Sequence, residues 1–451
     1  MTPIVMPTPG CRSDSRSTPT GSTYAPPRRS MRTPSAELVM VGTHDWEDAL
    51  ARVNGIVSHD PSNPGLQLAY AARLYLNAPS ILHGLDLIPS ADSVDFVIEK
   101  DGARKTYRMA PTASVGAWYF NSIPTAWVDA RSRSIPTPLA MQHPERFYWY
   151  VVRPEEHAIY VQFNVVGDAD SESLAAFADR LRVDMARPAV TRVVIDVRAN
   201  TGGDNTLLRP LLLALIRSKL NHRGGMYCLI GPTTFSAAQN FVNRLESYTE
   251  TIFVGEPTGA NVNSYGDPTS IELPHSHLKA EASTLWWQDM PPTDTRTAMF
   301  PEIAVTSTFA DYSAGRDPAL RLALNGAAPE TIEEVVERGI ALGPDSALAR
   351  YHAYASDPLH RYAPDPELRL YNLGYTLINA KRPRDAVVVF QVNARAHPRS
   401  VYEYDGLGDA YLAAADTTHA LAAYRQALDA NASDPKAIRM TTRLTATARQ
   451  Q

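Results

Sequence analysis

The chain has 451 residues, of which 44% are hydrophobic and 20% are charged, and its 43 basic and 48 acidic residues give a formal net charge of -5. This length predicts two to three domains, and the acidic balance argues against a general nucleic-acid-binding protein, which would normally be basic. The two cysteines, Cys11 and Cys228, are too few for a disulfide framework or a cysteine-rich zinc site.

The first segment, residues 1–35, is rich in Pro, Ser, Thr and Arg and contains no apolar run. Such a segment cannot bury enough surface to fold, so we expect it to be a disordered tail. It lacks the apolar core of a signal peptide, and no segment of the chain reaches the roughly 18 apolar residues that a membrane span requires. The sequence as written therefore predicts no membrane span and contains no export signal.

Residues 36–150 show mixed patterns. Apolar residues at helical spacing predict helices in DWEDALARVNGIV, with Asp45 as the N-cap, and in LQLAYAARLYL. The segment SVDFVIEKDGARKTYRMAP alternates around Asp101 and Gly102, which predicts a β-hairpin near residues 93–109.

Residues 151–325 alternate short apolar strands with longer helices, from HAIYVQFNVV to ETIFVGEPTG. This alternation predicts βαβ units and an α/β domain with a parallel or mixed sheet. In open sheets of this kind, sites form beyond the carboxyl ends of the strands. Two turns fall at such ends: the turn with Gly202 and Gly203 follows VVIDVR, and the turn with Ser236 follows MYCLI. We therefore expect these two turns to lie side by side.

Residues 330–451 carry helical patterns and an internal repeat with a period of 34 residues. Four pairs of positions match in this register: Leu373 with Leu407, Gly374 with Gly408, Ala386 with Ala420, and Phe390 with Tyr424. The pattern resembles the tetratricopeptide repeat, a helix-turn-helix unit with small residues where its helices touch. It predicts a C-terminal all-α region whose surface binds a protein partner or a second copy. An ordinary pair of helical hairpins is the alternative.

The two turns at the strand ends suggest nucleophilic chemistry. A serine hydroxyl that attacks an acyl carbon needs exposure, a base, and donors for the developing oxyanion. Ser236 stands at the start of a predicted helix, where the N–H of Ala237 is expected to point the same way. The N–H groups of Gly202 and Gly203 are further candidate donors, since glycine lets the backbone approach a ligand closely. A plain helix N-cap and a plain turn are the alternative interpretations.

Four blocks then carry a family resemblance: VVIDVRANTGGDN, GPTTFSAAQNF, FVGEPTGANVNSYGD and MFPEIAV. In this order they resemble the tail-specific (C-terminal-processing) serine peptidase superfamily over roughly residues 150–310. The resemblance is closer to the tricorn-core and retinoid-binding-like branch than to the Ser–Lys processing branch. It implies a ClpP/crotonase-like mixed sheet, Ser236 as the nucleophile, and oxyanion donors at Gly202, Gly203 and Ala237. It also implies an exported protein, and the hairpin near residues 93–109 would be a remnant of a PDZ-like domain.

The sequence departs from that family at the general base. Asn261 occupies the slot in which processing peptidases have lysine, and a neutral amide cannot accept the serine proton. The histidine-bearing DGHT-like motif of tricorn-like members is missing from the sequence. His275 and His277, in LPHSHLKA, are candidate bases because histidine titrates near neutral pH, although a histidine in a loop usually lies at the surface.

The sequence therefore predicts a serine-type peptidase that acts on peptides or proteins through Ser236. We expect no metal and no cofactor, because no HExxH motif or comparable ligand cluster occurs. The alternative is a catalytically degenerate protein on the same scaffold that binds a peptide or an apolar ligand.

Overall fold

The computed structural model describes residues 37–100, 102–111, 131, 134–363 and 365–450. The described residues up to 327, apart from 302–304, form one compact unit, and residues 302–304 and those from 328 onward form a second. The expected disordered tail, residues 1–35, lies outside the described residues, as does Asp101 of the predicted turn.

The N-terminal part of the first unit contains an antiparallel sheet with the strand order β2-β1-β3-β4. Its strands are β1 (Glu37–Val41), β2 (His44–Asp45), β3 (Val94–Lys100) and β4 (Ala103–Met109). The predicted hairpin is confirmed, because β3 and β4 pair from Val94 and Met109 at the open end to Lys100 and Ala103 beside the turn. Its description as a PDZ-like remnant stays a prediction.

Three short helices pack with this sheet. They are α1 (Trp46–Asn54), α2 (Gly65–Tyr70), which continues as a π-helical turn at Ala71–Tyr75, and α3 (Pro79–Gly84). Both predicted helices of this region are therefore confirmed. Asp45 is the N-cap residue of α1, as predicted, although its side chain accepts no backbone N–H of the first turn. The apolar faces of these elements form one core that includes Val41, Leu50, Leu82 and Phe96.

The central sheet has the strand order β9-β8-β7-β6-β5. Its strands are β5 (Tyr148–Arg153), β6 (Ala158–Phe163), β7 (Arg192–Asp196), β8 (Met226–Ile230) and β9 (Ile252–Gly255). β6 to β9 run parallel, and β5 pairs antiparallel with β6. The connecting helices are α4 (Leu174–Met185), α5 (Arg209–Ile216), which follows a 3₁₀ turn, and α6 (Ala237–Tyr248). The predicted mixed α/β architecture is confirmed.

The continuous apolar runs of these strands have a simple cause. Every residue of β6 and of β8 is buried, as expected for parallel strands covered on both faces. Cys228 lies fully buried between Ile195 of β7 and Phe253 of β9, and this burial raises the pKa of its thiol well above the ordinary value. The cysteine is a small residue of the hydrophobic core.

A long β-hairpin, whose strands the sequence did not predict, follows β9. Its strands are β10 (Asn263–Glu272) and β11 (Lys279–Gln288), and nine residue pairs register between them. All residues from Asp267 to Trp286 are exposed. The first unit ends with α7 (Phe309–Ser313) and α8 (Pro318–Asn325).

The second unit contains the short strand β12 (Ile303–Ala304) and seven α-helices among its described residues. The helices are α9 (Ile332–Ile340), α10 (Pro344–Ser356), α11 (Pro366–Asn379), α12 (Pro383–Ala396), α13 (Val401–Ala413), α14 (Thr417–Ala430) and α15 (Pro435–Gln450). α10, α11 and α12 begin with proline, whose missing N–H is not needed in a first helical turn.

The two repeats pack in the same way. A Cβ on Gly374 of α11 would lie 2.4 Å from the ring of Phe390 on α12, and a Cβ on Gly408 of α13 would lie 2.6 Å from the ring of Tyr424 on α14. The matched glycines therefore let the matched aromatic rings touch the preceding helix. The predicted helix pairs are confirmed, and their assignment to the tetratricopeptide type stays a prediction.

Candidate active site

The structure brings the glycine turn and the serine turn together at the carboxyl edge of the sheet. A Cβ built on Gly202 would lie 2.7 Å from Ser236 Cβ, 3.1 Å from Ser236 Oγ and 3.0 Å from the backbone nitrogen of Ala237. Gly202 also has φ +118°, a conformation that residues with a side chain rarely adopt. The close approach of the two turns therefore requires glycine at this position.

Ser236 has an unusual backbone for a residue with a side chain, with φ 52° and ψ -125°. Its side chain is exposed and makes no capping hydrogen bond to α6. Such a conformation costs on the order of 1–3 kcal/mol and persists when the surrounding structure enforces it. Ser236 therefore presents its hydroxyl on a strained strand-to-helix turn, as the nucleophile elbow of acyl-transfer enzymes does, and it is not an ordinary N-cap.

Hydrogen bonds between the two turns hold this strained conformation. The hydroxyl of Thr234 donates to the carbonyl oxygen of Val197 at 3.0 Å. The N–H of Phe235, the residue before Ser236, donates to the carbonyl oxygen of Asn200 at 3.1 Å. The serine turn is thus fastened to the chain that leads from β7 into the glycine turn.

The side chain of Asn200 determines which glycine N–H of the turn is free to donate a hydrogen bond to a ligand. Its side chain is fully buried, with Oδ1 accepting the N–H of Gly202 at 2.9 Å and Nδ2 donating to the carbonyl oxygen of Phe163 at 3.0 Å. The prediction that Gly202 donates to an oxyanion is therefore corrected. Gly203 is exposed, and neither its N–H nor that of Ala237 has a hydrogen-bond partner among the described residues.

Among the residues that the structure describes, no general base contacts the hydroxyl of Ser236. Ser236 Oγ makes no hydrogen bond to any residue that the structure describes, although all 12 histidines of the chain lie in the described ranges. His275 and His277 are exposed at the tip of the β10–β11 hairpin, and His277 Nδ1 lies 2.8 Å from Glu272 Oε1. Nine registered pairs lie between these histidines and the end of the hairpin that joins the rest of the first unit, and they span about 30 Å of strand. The structure therefore does not bring these two candidate bases to Ser236.

Asn261, at the position where the family resemblance expects lysine, has a side chain that is held by hydrogen bonds. Asn261 Nδ2 donates to Asp60 Oδ2 and to Ser62 Oγ, each at 2.9 Å. Its Oδ1 is buried and has no hydrogen-bond partner within the described part of the chain. The side chain at this position is thus tied to the loop before α2, and the structure records no contact between it and the serine.

A polar network lies along α6, the helix that follows Ser236. Asn240, one helical turn after Ser236, accepts a hydrogen bond from Asn205 Nδ2 at 3.0 Å and donates to Asp289 Oδ2 at 2.5 Å. Arg244 Nη2 lies 3.7 Å from the same carboxylate. These residues connect the glycine turn, α6 and the end of β11. The sequence alone did not point to them.

A buried ion pair fixes the end of β7, where the glycine turn begins. Arg198 Nη2 lies 2.6 Å from a carboxylate oxygen of Asp196 and 2.6 Å from one of Asp317. Burial alone lowers the pKa of Arg198, but the two carboxylates outweigh it, so the pKa lies well above its ordinary value. Burial alone raises the pKa of Asp317, and Arg198 outweighs it, so the pKa lies below its ordinary value. Arg198 and Asp317 are therefore both charged at neutral pH.

The described residues form neither a cluster suited to a metal ion nor a helix suited to a membrane span. No group of three or more His, Cys, Asp or Glu side chains in these ranges is placed to hold a metal ion. None of the described helices has the length and apolar character to cross a membrane.

Comparisons with known proteins give distant similarities to solved structures. No protein-family model matches the sequence, and no curated protein matches it. The chain is similar to mature CPAF complexed with lactacystin, at 13% identity over 62% of this chain and 75% of that chain, with a TM-score of 0.39. It is similar to the photosystem II D1 C-terminal processing protease, at 13% identity over 63% and 68%, with a TM-score of 0.29. A lipoprotein from Streptococcus agalactiae is similar at 14% identity over 36% and 66%, with a TM-score of 0.25.

Proposed function

We propose that this chain is a serine-type peptidase of the tail-specific superfamily, in which Ser236 is the nucleophile. The observation that carries the proposal is the backbone of Ser236, which has φ 52° although it is not glycine. Its hydroxyl is exposed and free of a capping bond, and it faces Gly202 across a contact too close for any side chain. A residue that serves as a helix cap has no reason to keep this strain.

The N–H groups of Gly203 and Ala237 are the oxyanion donors in this proposal. When Ser236 Oγ attacks an acyl carbon, the carbonyl oxygen becomes negatively charged and accepts hydrogen bonds from both. Each such donor typically contributes on the order of 100-fold or more to the rate. The acyl-enzyme formed as the amine leaves is then hydrolysed by water.

The serine proton needs an acceptor, and the pH dependence of hydrolysis identifies its class. A histidine base gives a rate that rises with an apparent pKa near 6 to 7, whereas a lysine base gives a higher one. The exposed turns suit an extended, unstructured peptide or protein segment as the substrate, because a folded surface could not place its backbone against Gly203 and Ser236.

A fluorophosphonate probe tests the nucleophile. We expect the wild type to be labelled and Ser236→Ala to remain unlabelled, while Ser247→Ala, which removes a serine at the other end of α6, is labelled like the wild type. Equal labelling of all three proteins would exclude Ser236 as an activated nucleophile. It would leave the non-catalytic ligand-binding protein as the better assignment.

A second variant tests the pocket itself. In Gly202→Ala the new methyl group would meet Ser236 Cβ and displace the hydroxyl, so we expect labelling and peptide hydrolysis to fall on the order of 100-fold. Gly84→Ala is the matched control, because its Cβ would meet nothing within 4 Å. Full activity of a folded Gly202→Ala protein would contradict the proposed geometry.

We further propose that the first unit is ClpP/crotonase-like and that the second unit carries tetratricopeptide-type repeats that bind a protein partner. The matched contacts of Gly374 with Phe390 and of Gly408 with Tyr424 support the repeat assignment. Pull-down with a resin-bound second unit tests partner binding, once that fragment is shown by circular dichroism to fold.

A further inference from the structure

The β10–β11 hairpin exposes an apolar face. Directly paired residues of antiparallel strands share one face of the ribbon. Five large apolar side chains fall on the same face: Tyr265, Ile271, Leu273, Leu278 and Trp286. Ala280 and Ala282 fill the positions between them, and the rings of Tyr265 and Trp286 contact each other at 4.7 Å between centroids.

The opposite face of the hairpin is mostly polar. Towards the tip it carries Ser270, Glu272, Lys279, Glu281 and Ser283, and apolar residues occur on it near the base. A two-stranded hairpin is marginally stable in water unless a face of it is packed against another element. The exposed apolar face is therefore expected to be covered in solution.

The size of the apolar face suits a dimer contact. The exposed fractions are 71% for Tyr265, 54% for Ile271, 44% for Leu273, 65% for Leu278 and 51% for Trp286. With about 200 Å² for a fully exposed large side chain, these five expose on the order of 570 Å² per copy. Two such faces bury on the order of 1,100 Å² together, which exceeds the roughly 1,000 Å² that a specific interface needs.

The charges of the hairpin favour a second copy over a lipid surface. The ionisable residues are Asp267, Glu272, Glu281 and Lys279, besides the two histidines at the tip, so the hairpin has an acidic excess and would not be attracted to anionic lipid. By register Asp267 belongs to the apolar face, but its backbone has φ 52° and its carboxylate is bonded at 2.6 Å to Trp287 Nε1, a residue that registers on the opposite face. The other three charges lie on the opposite face, so they would not oppose one another in a symmetric contact.

We propose that two copies of this chain associate through the apolar faces of their β10–β11 hairpins. The hairpins pack face to face about a two-fold axis that crosses them near Thr269 and Ala282, the pair at their middle. Each tip then lies against the base of the partner's hairpin, and the two first units lie at opposite ends. An axis along the hairpins would instead bring both first units to the same end.

Sedimentation velocity of the full chain tests the association. We expect a dimer at micromolar concentration, and we expect Ile271→Glu and Leu278→Glu each to weaken dimerisation at least 30-fold, as loss of an interface hot spot does. Ser270→Glu and Ser283→Glu place the same charge on the opposite face and should leave the dimer intact. These sites are exposed, so at concentrations too low for dimerisation the thermal unfolding of all four variants should match that of the wild type.

The symmetry is tested by disulfide trapping in a Cys11→Ser background, where the remaining cysteine, Cys228, is buried. Ala282→Cys should form an intermolecular disulfide, whereas Ser283→Cys on the opposite face and Leu278→Cys at the tip should not. A wild type that is still monomeric at a concentration 100-fold above the micromolar range would overturn the proposal. So would a dimer that the two apolar-face variants leave unchanged, or wild-type monomers that float with neutral lipid vesicles.

Discussion

The strain at Ser236 predicts that glycine is more stabilising than alanine at this position. Both Ser236→Gly and Ser236→Ala remove the hydroxyl, but only glycine adopts φ 52° with ψ -125° without cost. Relief of the backbone strain raises the free energy of unfolding on the order of 1–3 kcal/mol. The greater conformational freedom of glycine in the unfolded chain lowers it by roughly 0.4–1 kcal/mol. We therefore expect Ser236→Gly to exceed Ser236→Ala in free energy of unfolding by on the order of 1–2 kcal/mol.

The matched control lies on the same helix. Ser247, near the end of α6, donates a hydrogen bond to the carbonyl oxygen of Asn243, and its replacement by glycine or by alanine removes that bond equally. In a helix glycine is about 1 kcal/mol worse than alanine. The difference between glycine and alanine should thus have opposite signs at positions 236 and 247.

Urea unfolding of the four variants, followed by circular dichroism, measures both differences. The comparison requires equal denaturant slopes, so that midpoint shifts report stability. If Ser236→Gly is no more stable than Ser236→Ala, the turn is not strained and the main support for a catalytic serine is lost. If both variants also lose probe labelling, the same position combines a stability cost with activity, as active sites commonly do.

Three further predictions follow from charges and distances. Asn261→Lys should not raise hydrolysis, because a lysine beside the carboxylate of Asp60 stays protonated and cannot act as a base; a gain in activity would show that the slot faces the serine after all. His275→Ala with His277→Ala should change kcat less than two-fold, because both lie at the hairpin tip, and a 100-fold loss would assign the base to the tip. Burial raises the pKa of Glu403 to about 8, so the native state holds a proton that the unfolded state releases above about pH 4.5. The stabilisation from this bound proton is full below that pH and is lost as the pH rises through 8. In urea unfolding, Glu403→Gln should be more stable than the wild type by on the order of 2 kcal/mol at pH 8, and the difference should be smaller at pH 5.

The sequence predicted the central sheet because its strands are buried on both faces. A segment such as MYCLI, which forms β8, can only be a core element, and the helices between such segments show clear apolar periodicity. The internal repeat was predictable for a similar reason. Matched glycine and aromatic positions recur because each pair makes the same contact, as Gly374 with Phe390 shows.

The β10–β11 hairpin was missed because its sequence contradicts strand propensity. β10 contains Gly266, Asp267 and Pro268 in succession, three residue types that are depleted in strands. The strand forms because β11 pairs with it over its whole length, which is information that lies outside the segment itself. Three of its large apolar residues, Tyr265, Ile271 and Leu273, are an even number of positions apart, and this spacing was the signal that favoured a strand.

The proposed oxyanion donors show what a sequence motif can predict. Such a motif identifies the region of a site more readily than it identifies the individual atoms that would act there. The sequence predicts a glycine pair opposite Ser236 but gives no reason to prefer one N–H over the other. The choice depends on Asn200, whose Oδ1 binds the N–H two residues later and so removes Gly202 as a donor. That bond is the ordinary turn made by an asparagine side chain, so the order Asn-Thr-Gly-Gly already contained the answer. The general base that the proposed function requires has no comparable local signal in the sequence, because tertiary proximity and not sequence neighbourhood would select it.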